Sequence, residues 1–264
     1  MQAFTFQQPK TVADAVKAFG AGSEIKYLAG GQSLLPSMRL GLASPETLVD
    51  LDRVDELKGI TVSGDTVTIG AMTRHAEIAA SADVKRLVPG LAHLAEMIGD
   101  RQVRNRGTIG GSLANNDPAA CYPSAVLALD ASLKTSKRTI EAKDFFKGLY
   151  ETALEPDELL VSITFTKPEK SAYYKFRQQA SHFALVGVFV AKGAHGARVA
   201  ITGAGPVVFR MNALEAKLDA NWAPESCDGV TMPADGLNSD LHATAEYRAH
   251  LIPVLAKRAV AEAA

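Results

Sequence analysis

Along the N-terminal half of the chain, hydrophobic residues follow a helical spacing in some segments and a strand-type alternation in others. Between residues 12 and 19, apolar side chains recur at i, i+3, i+4 and i+7 behind a potential N-cap at Thr11, which predicts an amphipathic helix. Alternation over residues 25–29 predicts a strand that runs directly into a pair of glycines. Two alternating runs separated by Gly-Asp predict a tight hairpin over residues 60–69.

The same two patterns predict further helices and strands through the rest of the chain. A helix is expected over residues 82–98, interrupted near Pro89, and another over residues 118–129, with a proline in its first turn. A strand is expected over residues 159–165. The remaining predictions are antiparallel strands over 172–177, 183–191 and 198–202, and helices over 212–218 and 241–263, the last kinked at Pro253.

These elements divide the chain into two parts of an α+β fold. The polar segment at residues 167–170 is expected to separate a first domain over residues 1–170, with subdomains of about 1–55 and 56–170, from a second over 171–264. The second part is expected to be a small α+β domain built on an antiparallel sheet.

Composition is that of an ordinary globular protein. Of the 264 residues, 47% are hydrophobic and 22% charged, and 28 Lys and Arg against 29 Asp and Glu give a net charge of −1. These values argue against disorder and against a basic surface that coats nucleic acid. The longest apolar run is far shorter than the ~20 residues that span a bilayer, and the first ten residues lack signal-peptide features. We therefore expect a cytoplasmic protein with no membrane span.

The cysteines and histidines argue against a metal centre on this chain. Cys121 and Cys227 are the only cysteines, and none of the six histidines belongs to an HxH or HxxxH pair. An iron–sulfur cluster usually takes about four thiolates, and a structural zinc takes several Cys or His ligands. No metal site is therefore expected here.

Two glycine-rich segments carry most of the candidate chemistry. The first, LAGGQSLLP at residues 28–36, follows a predicted strand, and its glycines would let backbone N–H groups approach an anion. The second, RNRGTIGGSLANNDP at residues 104–118, is interpreted as a turn with exposed N–H groups beside Thr108 and Ser112. If they face each other, the two segments would clamp a pyrophosphate. Taken alone, the first is better explained as a tight strand-to-helix turn.

Three arginines lie near the second segment, and several common motifs are absent from the sequence. Arg101, Arg104 and Arg106 form either a solvated edge or a subunit contact, and we favour the contact because backbone amides bind phosphate without them. The chain has no GxxxxGK[ST] loop, no GxGxxG fingerprint and no GxSxG elbow. A P-loop enzyme, a Rossmann enzyme and a serine hydrolase are therefore all disfavoured.

Together the two segments resemble a known family. LAGGQSLLPSMRL followed by TIGGSLANNDPAACYPSAVLALDA is similar to the FAD-binding medium subunit of the molybdenum hydroxylases, a group that includes carbon monoxide and xanthine dehydrogenases. Weaker matches, such as the opening FxFxxP, extend the resemblance over nearly the whole chain. It implies an FAD-binding domain of the vanillyl-alcohol-oxidase/PCMH type with two α+β subdomains, followed by a small C-terminal domain.

The resemblance also implies positions for FAD. Residues 27–34 and 108–112 match the family's two pyrophosphate loops, Ile98 and Leu160 match positions at the flavin ring, and Phe183 matches an aromatic that covers a ring face. No catalytic residue is implied on this chain. The implied FAD-binding residues are Tyr27, Leu28, Ala29, Gly30, Gly31, Gln32, Ser33, Leu34, Ile98, Thr108, Gly110, Gly111, Ser112, Asp117, Cys121, Leu160, Lys175 and Phe183.

Some positions depart from the family's pattern or stay open. The family often has an aspartate that binds the FAD chain where this sequence has Cys121. Either the contact is weakened at Cys121 or taken over by Asp117, or Cys121 is simply a buried small residue at a helix start. Gln32 stands where some oxidases of the wider fold attach FAD through histidine, so FAD is expected to be non-covalent. The basic residue near the flavin is either Lys175 or Arg177.

The resemblance implies an oxidoreductase subunit that transfers electrons. A large partner subunit would carry the molybdenum cofactor and a small partner subunit the [2Fe-2S] clusters, in a dimer of heterotrimers. Electrons would then pass through FAD on this chain to an external acceptor. The alternatives are a free-standing flavin oxidase, for which His182 is the available candidate base, and a non-enzymatic nucleotide-binding module.

Overall fold

Three short parallel strands organise the first fifty residues, in a computed structural model that describes residues 2–20, 22 and 24–263. Thr11 caps the first helix as expected, because its hydroxyl accepts a hydrogen bond from the backbone N–H of Asp14 at 3.0 Å. The elements of this part are β1 (Thr5–Gln7), α1 (Val12–Phe19), β2 (Ile25–Leu28), α2 (Leu34–Arg39) and β3 (Thr47–Asp50). The strands pair in the order β1-β3-β2.

A five-stranded antiparallel sheet and a layer of helices form the middle of the chain. After a 3₁₀ turn at Asp55–Leu57, its elements are β4 (Ile60–Ser63), β5 (Thr66–Gly70), α3 (His75–Ala80), α4 (Ala82–Leu87), α5 (Pro89–Glu96), α6 (Arg101–Arg106), α7 (Ile109–Asn115), α8 (Tyr122–Ala128), β6 (Ser132–Thr135), β7 (Thr139–Glu141), α9 (Ala142–Phe145), β8 (Phe146–Gly148), β9 (Glu151–Thr152) and β10 (Leu160–Thr166). The strand order is β4-β5-β10-β6-β7, and β4 with β5 forms the predicted hairpin. A large apolar core lies between this sheet and the helices.

A second antiparallel sheet and two helices complete the chain. The elements are β11 (Lys170–Arg177), β12 (Ala184–Gly193), β13 (Gly196–Thr202), β14 (Phe209–Arg210), α10 (Asn212–Ala220), a 3₁₀ turn at Pro224–Cys227 and α11 (Ala245–Glu262). The strands pair in the order β11-β12-β13-β14, and α11 packs on β11 and β12. These sheets and helices confirm the α+β class. No helix among the described residues is long and apolar enough to cross a membrane.

The helices test two sequence predictions with opposite results. The expected interruption near Pro89 is confirmed, because α4 ends before Val88 and α5 begins at Pro89. The helix expected from residue 118 is wrong, since α8 begins only at Tyr122. The Pro118 carbonyl instead accepts hydrogen bonds from the Gly203 N–H at 2.7 Å and the Thr202 hydroxyl at 2.9 Å. These contacts tie the segment before α8 to the C-terminal sheet.

A buried carboxylate braces the loop that leads into β10. The carboxylate of Glu158 is fully buried and accepts hydrogen bonds from Arg138 Nε at 3.0 Å and from the Thr135 hydroxyl at 2.6 Å. Burial alone would raise the pKa of Glu158. The hydrogen bonds from Arg138, Thr135 and the backbone of Glu155 outweigh it and lower that pKa to about 2.

We expect Glu158→Gln to lower the free energy of unfolding at pH 7 by roughly 2 kcal/mol, since it removes hydrogen bonds to a charged group. The folded-state pKa lies below the unfolded value of about 4.3, so this contribution is full above that pH and is lost as pH falls towards about 2. Urea denaturation at several pH values measures the difference. Glu155→Gln, at an exposed carboxylate, is the matched control. A loss that does not change with pH would contradict this role.

Candidate functional site

The two glycine-rich segments meet at backbone distance. A Cβ atom on Gly30 would lie 2.3 Å from the carbonyl oxygen of Arg106 and 2.7 Å from the Cα of Gly107. A Cβ on Gly111 would lie 3.3 Å from the Cβ of Ala29. The facing arrangement expected from the sequence is therefore present, and it leaves no room for a side chain at Gly30.

The first segment offers a run of free backbone donors. It leads from the end of β2 to the start of α2, and Gly31 adopts a left-handed conformation with φ of +71°. The N–H groups of residues 30–34 find no acceptor in the part of the chain that the structure describes. The Gln32 side chain donates to the Gly30 carbonyl at 3.4 Å. Consecutive N–H groups in such a turn form a concave site for an anion.

The second segment uses its N–H groups internally, so the interpretation of an exposed turn at residues 104–118 is wrong. Its glycines begin helix α7. The N–H of Ile109 donates to the Thr73 carbonyl at 3.1 Å, and the N–H of Gly110 donates to the Ala71 carbonyl at 2.8 Å. The Thr108 hydroxyl caps α7 and accepts from the Gly111 N–H at 3.2 Å.

The glycines of α7 serve close packing. A Cβ on Gly110 would lie 2.5 Å from the Cβ of Ala71 and 2.7 Å from its carbonyl oxygen. Ser112, also in α7, is half-buried, and its N–H donates to the Thr108 carbonyl at 3.1 Å. This segment is therefore a rigid wall against which the first segment is placed.

A buried histidine, His75, contacts the backbone just before α7. The backbone N–H of His75 donates to the Gly107 carbonyl at 3.0 Å, and its Nδ1 lies 3.2 Å from the Tyr122 hydroxyl. Burial, and then the charge of Arg104, lower the pKa of His75 to about 4, so the ring is neutral at physiological pH. Sequence reasoning missed His75 because a lone histidine gives no local signal for a contact 32 positions away, at Gly107.

A polar cavity of about 200 Å³ lies at the junction of the two segments. Its walls include Ala29, Gly30 and Thr108 together with charged side chains. Arg74 is among these, at 3.9 Å from a carboxylate oxygen of Asp52. The lining residues are Ala29, Gly30, Asp52, Lys58, Met72, Arg74, Glu77, Arg106 and Thr108.

A second group of predicted residues is joined by the turn between β11 and β12. Lys175 Nζ donates to the His182 carbonyl at 2.7 Å, and His182 Nδ1 lies 3.2 Å from the Gly99 carbonyl. Arg104 Nη1 donates to the carbonyls of Ile98 and Gly99 at 3.0 and 3.1 Å. Arg104 thus holds the main chain beside Ile98, a role that sequence reasoning did not find. Arg101 and Arg106, by contrast, are exposed.

The other predicted residues have varied surroundings. Asp117 accepts from the Ala119 N–H at 2.8 Å and the Tyr150 hydroxyl at 3.2 Å. Leu160 is buried at the start of β10, whereas Phe183 is 48% exposed. Burial and the charge of Asp157 raise the pKa of Tyr27 to about 12, so this hydroxyl stays protonated. Cys121 and Lys175 are both buried and contact each other.

Comparison with known proteins gives matches over the full chain. A family model described as the FAD binding domain in molybdopterin dehydrogenase matches residues 2–168. The carbon monoxide dehydrogenase medium chain of Hydrogenophaga pseudoflava is 35% identical, covering 97% of this chain and 96% of that protein. The nicotine 6-hydroxylase medium subunit of Paenarthrobacter nicotinovorans is 34% identical, covering 100% and 98%.

Solved structures match as well. Carbon monoxide dehydrogenase from Hydrogenophaga pseudoflava superposes with a TM-score of 0.89 at 36% identity, over 98% of this chain and 96% of that one. Quinoline 2-oxidoreductase from Pseudomonas putida 86 gives a TM-score of 0.89 at 28% identity, over 99% and 96%. The sequence resemblance and the predicted fold type are thereby confirmed.

We expect Gly30→Ala to lower the free energy of unfolding by about 1–3 kcal/mol, because its methyl group would overlap the backbone of Arg106 and Gly107. Gly193→Ala is the matched control, since a Cβ there meets only the Cα of Pro168 at 3.9 Å. Its effect should stay within about 0.5 kcal/mol. Chemical denaturation of both variants measures the difference, and equal stability would refute the tight contact.

Proposed function

This chain belongs to the FAD-binding medium subunits of the molybdenum hydroxylases, and on that premise we propose that it is the electron-transfer subunit of a multi-subunit dehydrogenase. FAD, when bound, supplies the redox chemistry, and the chain supplies binding, orientation and electrostatics. The observation that carries the proposal is the run of free N–H groups at residues 30–34, held against the second glycine segment. An anionic pyrophosphate provides the acceptors that these donors lack.

The two glycine segments have different roles in binding the cofactor. Gly30 lets the two segments meet, because a Cβ there would overlap the backbone of the second segment. Gly31 supplies the left-handed conformation of the turn, with φ of +71°. Thr108 fixes the start of α7, so that Gly111 stays beside Ala29. The first segment thus donates to the pyrophosphate, and the second sets its position.

The flavin end of the site is a proposal from the resemblance. Ile98 has its carbonyl fixed by Arg104 and packs against the core, which suits a residue that supports a ring edge. Phe183 is half-exposed and available to cover a ring face. Asp117 has two carboxylate oxygens, each with one hydrogen bond, and a carboxylate can accept further bonds from a hydroxyl of the FAD chain.

Partner subunits follow from the names of the relatives and from the cysteine count. The relatives are named as a medium chain and a medium subunit, which implies further chains in each complex. With two cysteines, this chain has fewer thiols than a [2Fe-2S] cluster needs, so the clusters belong to a partner. We propose a large molybdenum subunit, a small iron–sulfur subunit, a dimer of such heterotrimers and a cytoplasmic location.

We expect acid precipitation of the purified protein to release all of its FAD into the supernatant. The amide of Gln32 offers no nucleophile that could hold the flavin covalently. Absorbance of the supernatant and of the washed pellet measures the release. Flavin that stays with the pellet would show that another residue attaches it.

The subunit assignment predicts the composition of the native complex. A tagged chain purified from its own host should carry molybdenum and about four irons for each FAD, as two [2Fe-2S] clusters require. In a complex that contains Gly30→Ala, the FAD content should fall while molybdenum and iron are retained. Gly193→Ala should leave all three unchanged. Metal analysis and flavin absorbance measure these ratios. A yellow chain that purifies without molybdenum and iron would instead support the free-standing oxidase.

A further inference from the structure

A thiol and an amine meet inside the protein next to the segment that precedes α8. Lys175 Nζ lies 3.5 Å from Cys121 Sγ, and both residues are only 5% exposed. The other hydrogen bond of this nitrogen goes to the His182 carbonyl at 2.7 Å. The ammonium group therefore lies between one strong acceptor and one sulfur, and the proposed function assigns no role to this pair.

A third buried group faces the same point and lacks a partner. The hydroxyl of Tyr173 is fully buried, and no atom among the described residues forms a hydrogen bond with it. Burial, and then the neighbouring Cys121, raise the pKa of Tyr173 well above its usual value, so the hydroxyl keeps its proton. A buried donor without an acceptor costs free energy, which indicates that an acceptor belongs at this position.

The other cysteine of the chain provides an internal comparison. Cys227 is also buried, but burial and the charge of Asp228 raise the pKa of its thiol to about 11. Such a thiol stays protonated and unreactive. Cys121 instead has an amine in direct contact with its sulfur, at 3.5 Å, and Cys227 has no such contact among the described residues.

We propose that Cys121 and Lys175 are a redox-sensitive modification site, at which hydrogen peroxide joins Sγ to Nζ through a single oxygen atom. An S–O–N link spans a longer Sγ–Nζ distance than a direct S–N bond, so it needs a smaller movement from the present 3.5 Å of two groups held in a packed core. The oxygen also supplies the acceptor that the Tyr173 hydroxyl lacks.

The reaction balances with two molecules of peroxide. The first transfers one oxygen to the Cys121 thiol, which gives a sulfenic acid (S–OH) and water. The second removes two electrons, with one proton from the S–OH group and one from the amine of Lys175, after the ammonium group has released a proton to water. The N–O bond forms in that step and two waters leave. The product, S–O–NH, keeps one N–H that can still donate to the His182 carbonyl.

The bridge would change how two parts of the fold are connected. Cys121 precedes α8 in the middle of the chain, whereas Lys175 lies on β11 of the C-terminal sheet, 54 positions away. A covalent link over that separation restricts the unfolded chain and raises the thermal midpoint. Reducing agents that cleave the bridge would reverse the effect.

The experiment treats the native complex with excess hydrogen peroxide, digests it without a reducing agent and analyses the peptides by mass spectrometry. We expect the peptides of Cys121 and Lys175 to be joined, with a gain of one oxygen and a loss of two hydrogens. One of the two thiols of the chain should be lost, while Cys227 stays free. Dithiothreitol should restore the thiol and separate the peptides. The thermal midpoint of the treated complex should be several degrees higher than before treatment.

Two variants separate the bridge from ordinary thiol oxidation. Lys175→Arg keeps the positive charge but has no primary amine, so the joined peptide and the rise in thermal midpoint should both be absent. Tyr173→Phe keeps the ring and removes the hydroxyl, and it should reduce the yield of the joined peptide several-fold. A sulfinic acid on an unlinked Cys121 in the wild-type complex would overturn the proposal. A peptide joined without the added oxygen, or equal oxidation of both cysteines, would overturn it as well.

Discussion

The close contact between Gly30 and the Arg106–Gly107 backbone is the constraint on which the candidate site depends. The two sides of the contact belong to different parts of the fold, since the first segment follows strand β2 and the second segment contains helices α6 and α7. A Cβ atom on Gly30 would lie 2.3 Å from the carbonyl oxygen of Arg106, so only glycine at this position allows the two segments to meet. The position of every donor at residues 30–34 relative to the second segment follows from this one approach.

The two glycine segments look alike in sequence but have opposite roles in the structure. In the second, the N–H groups of Ile109, Gly110 and Gly111 are hydrogen-bonded within the protein, and His75 supports the turn before them. Those bonds make it rigid. The donors at residues 30–34 remain free for a ligand, as far as the described residues show. A pyrophosphate site of this kind needs both, because free donors are useful only if a rigid neighbour fixes their direction.

Local signals in the sequence predicted the elements whose causes are local. The hairpin at residues 60–69 and the cap at Thr11 depend on neighbouring residues, and both form as expected. Helix α7 was missed because its Gly-Gly pair suggests a turn, whereas hydrogen bonds to Ala71 and Thr73 stabilise a helix there. The late start of α8 likewise depends on Thr202, more than eighty positions away. The two glycine segments were recognisable as a candidate site through their resemblance to a family, but the different uses of their N–H groups are a property of the fold.

The residue at position 121 determines which partner the buried Lys175 amine has. An aspartate there would meet the Lys175 ammonium as an ion pair, because Nζ already lies 3.5 Å from the Cys121 sulfur. With cysteine, the carbonyl of His182 is the only strong acceptor that the described residues provide for this cation, since sulfur accepts weakly. The cysteine therefore exchanges an electrostatic partner of Lys175 for a nucleophilic one. The cysteine thus alters the chemistry of a buried amine that lies where the middle of the chain contacts the C-terminal sheet.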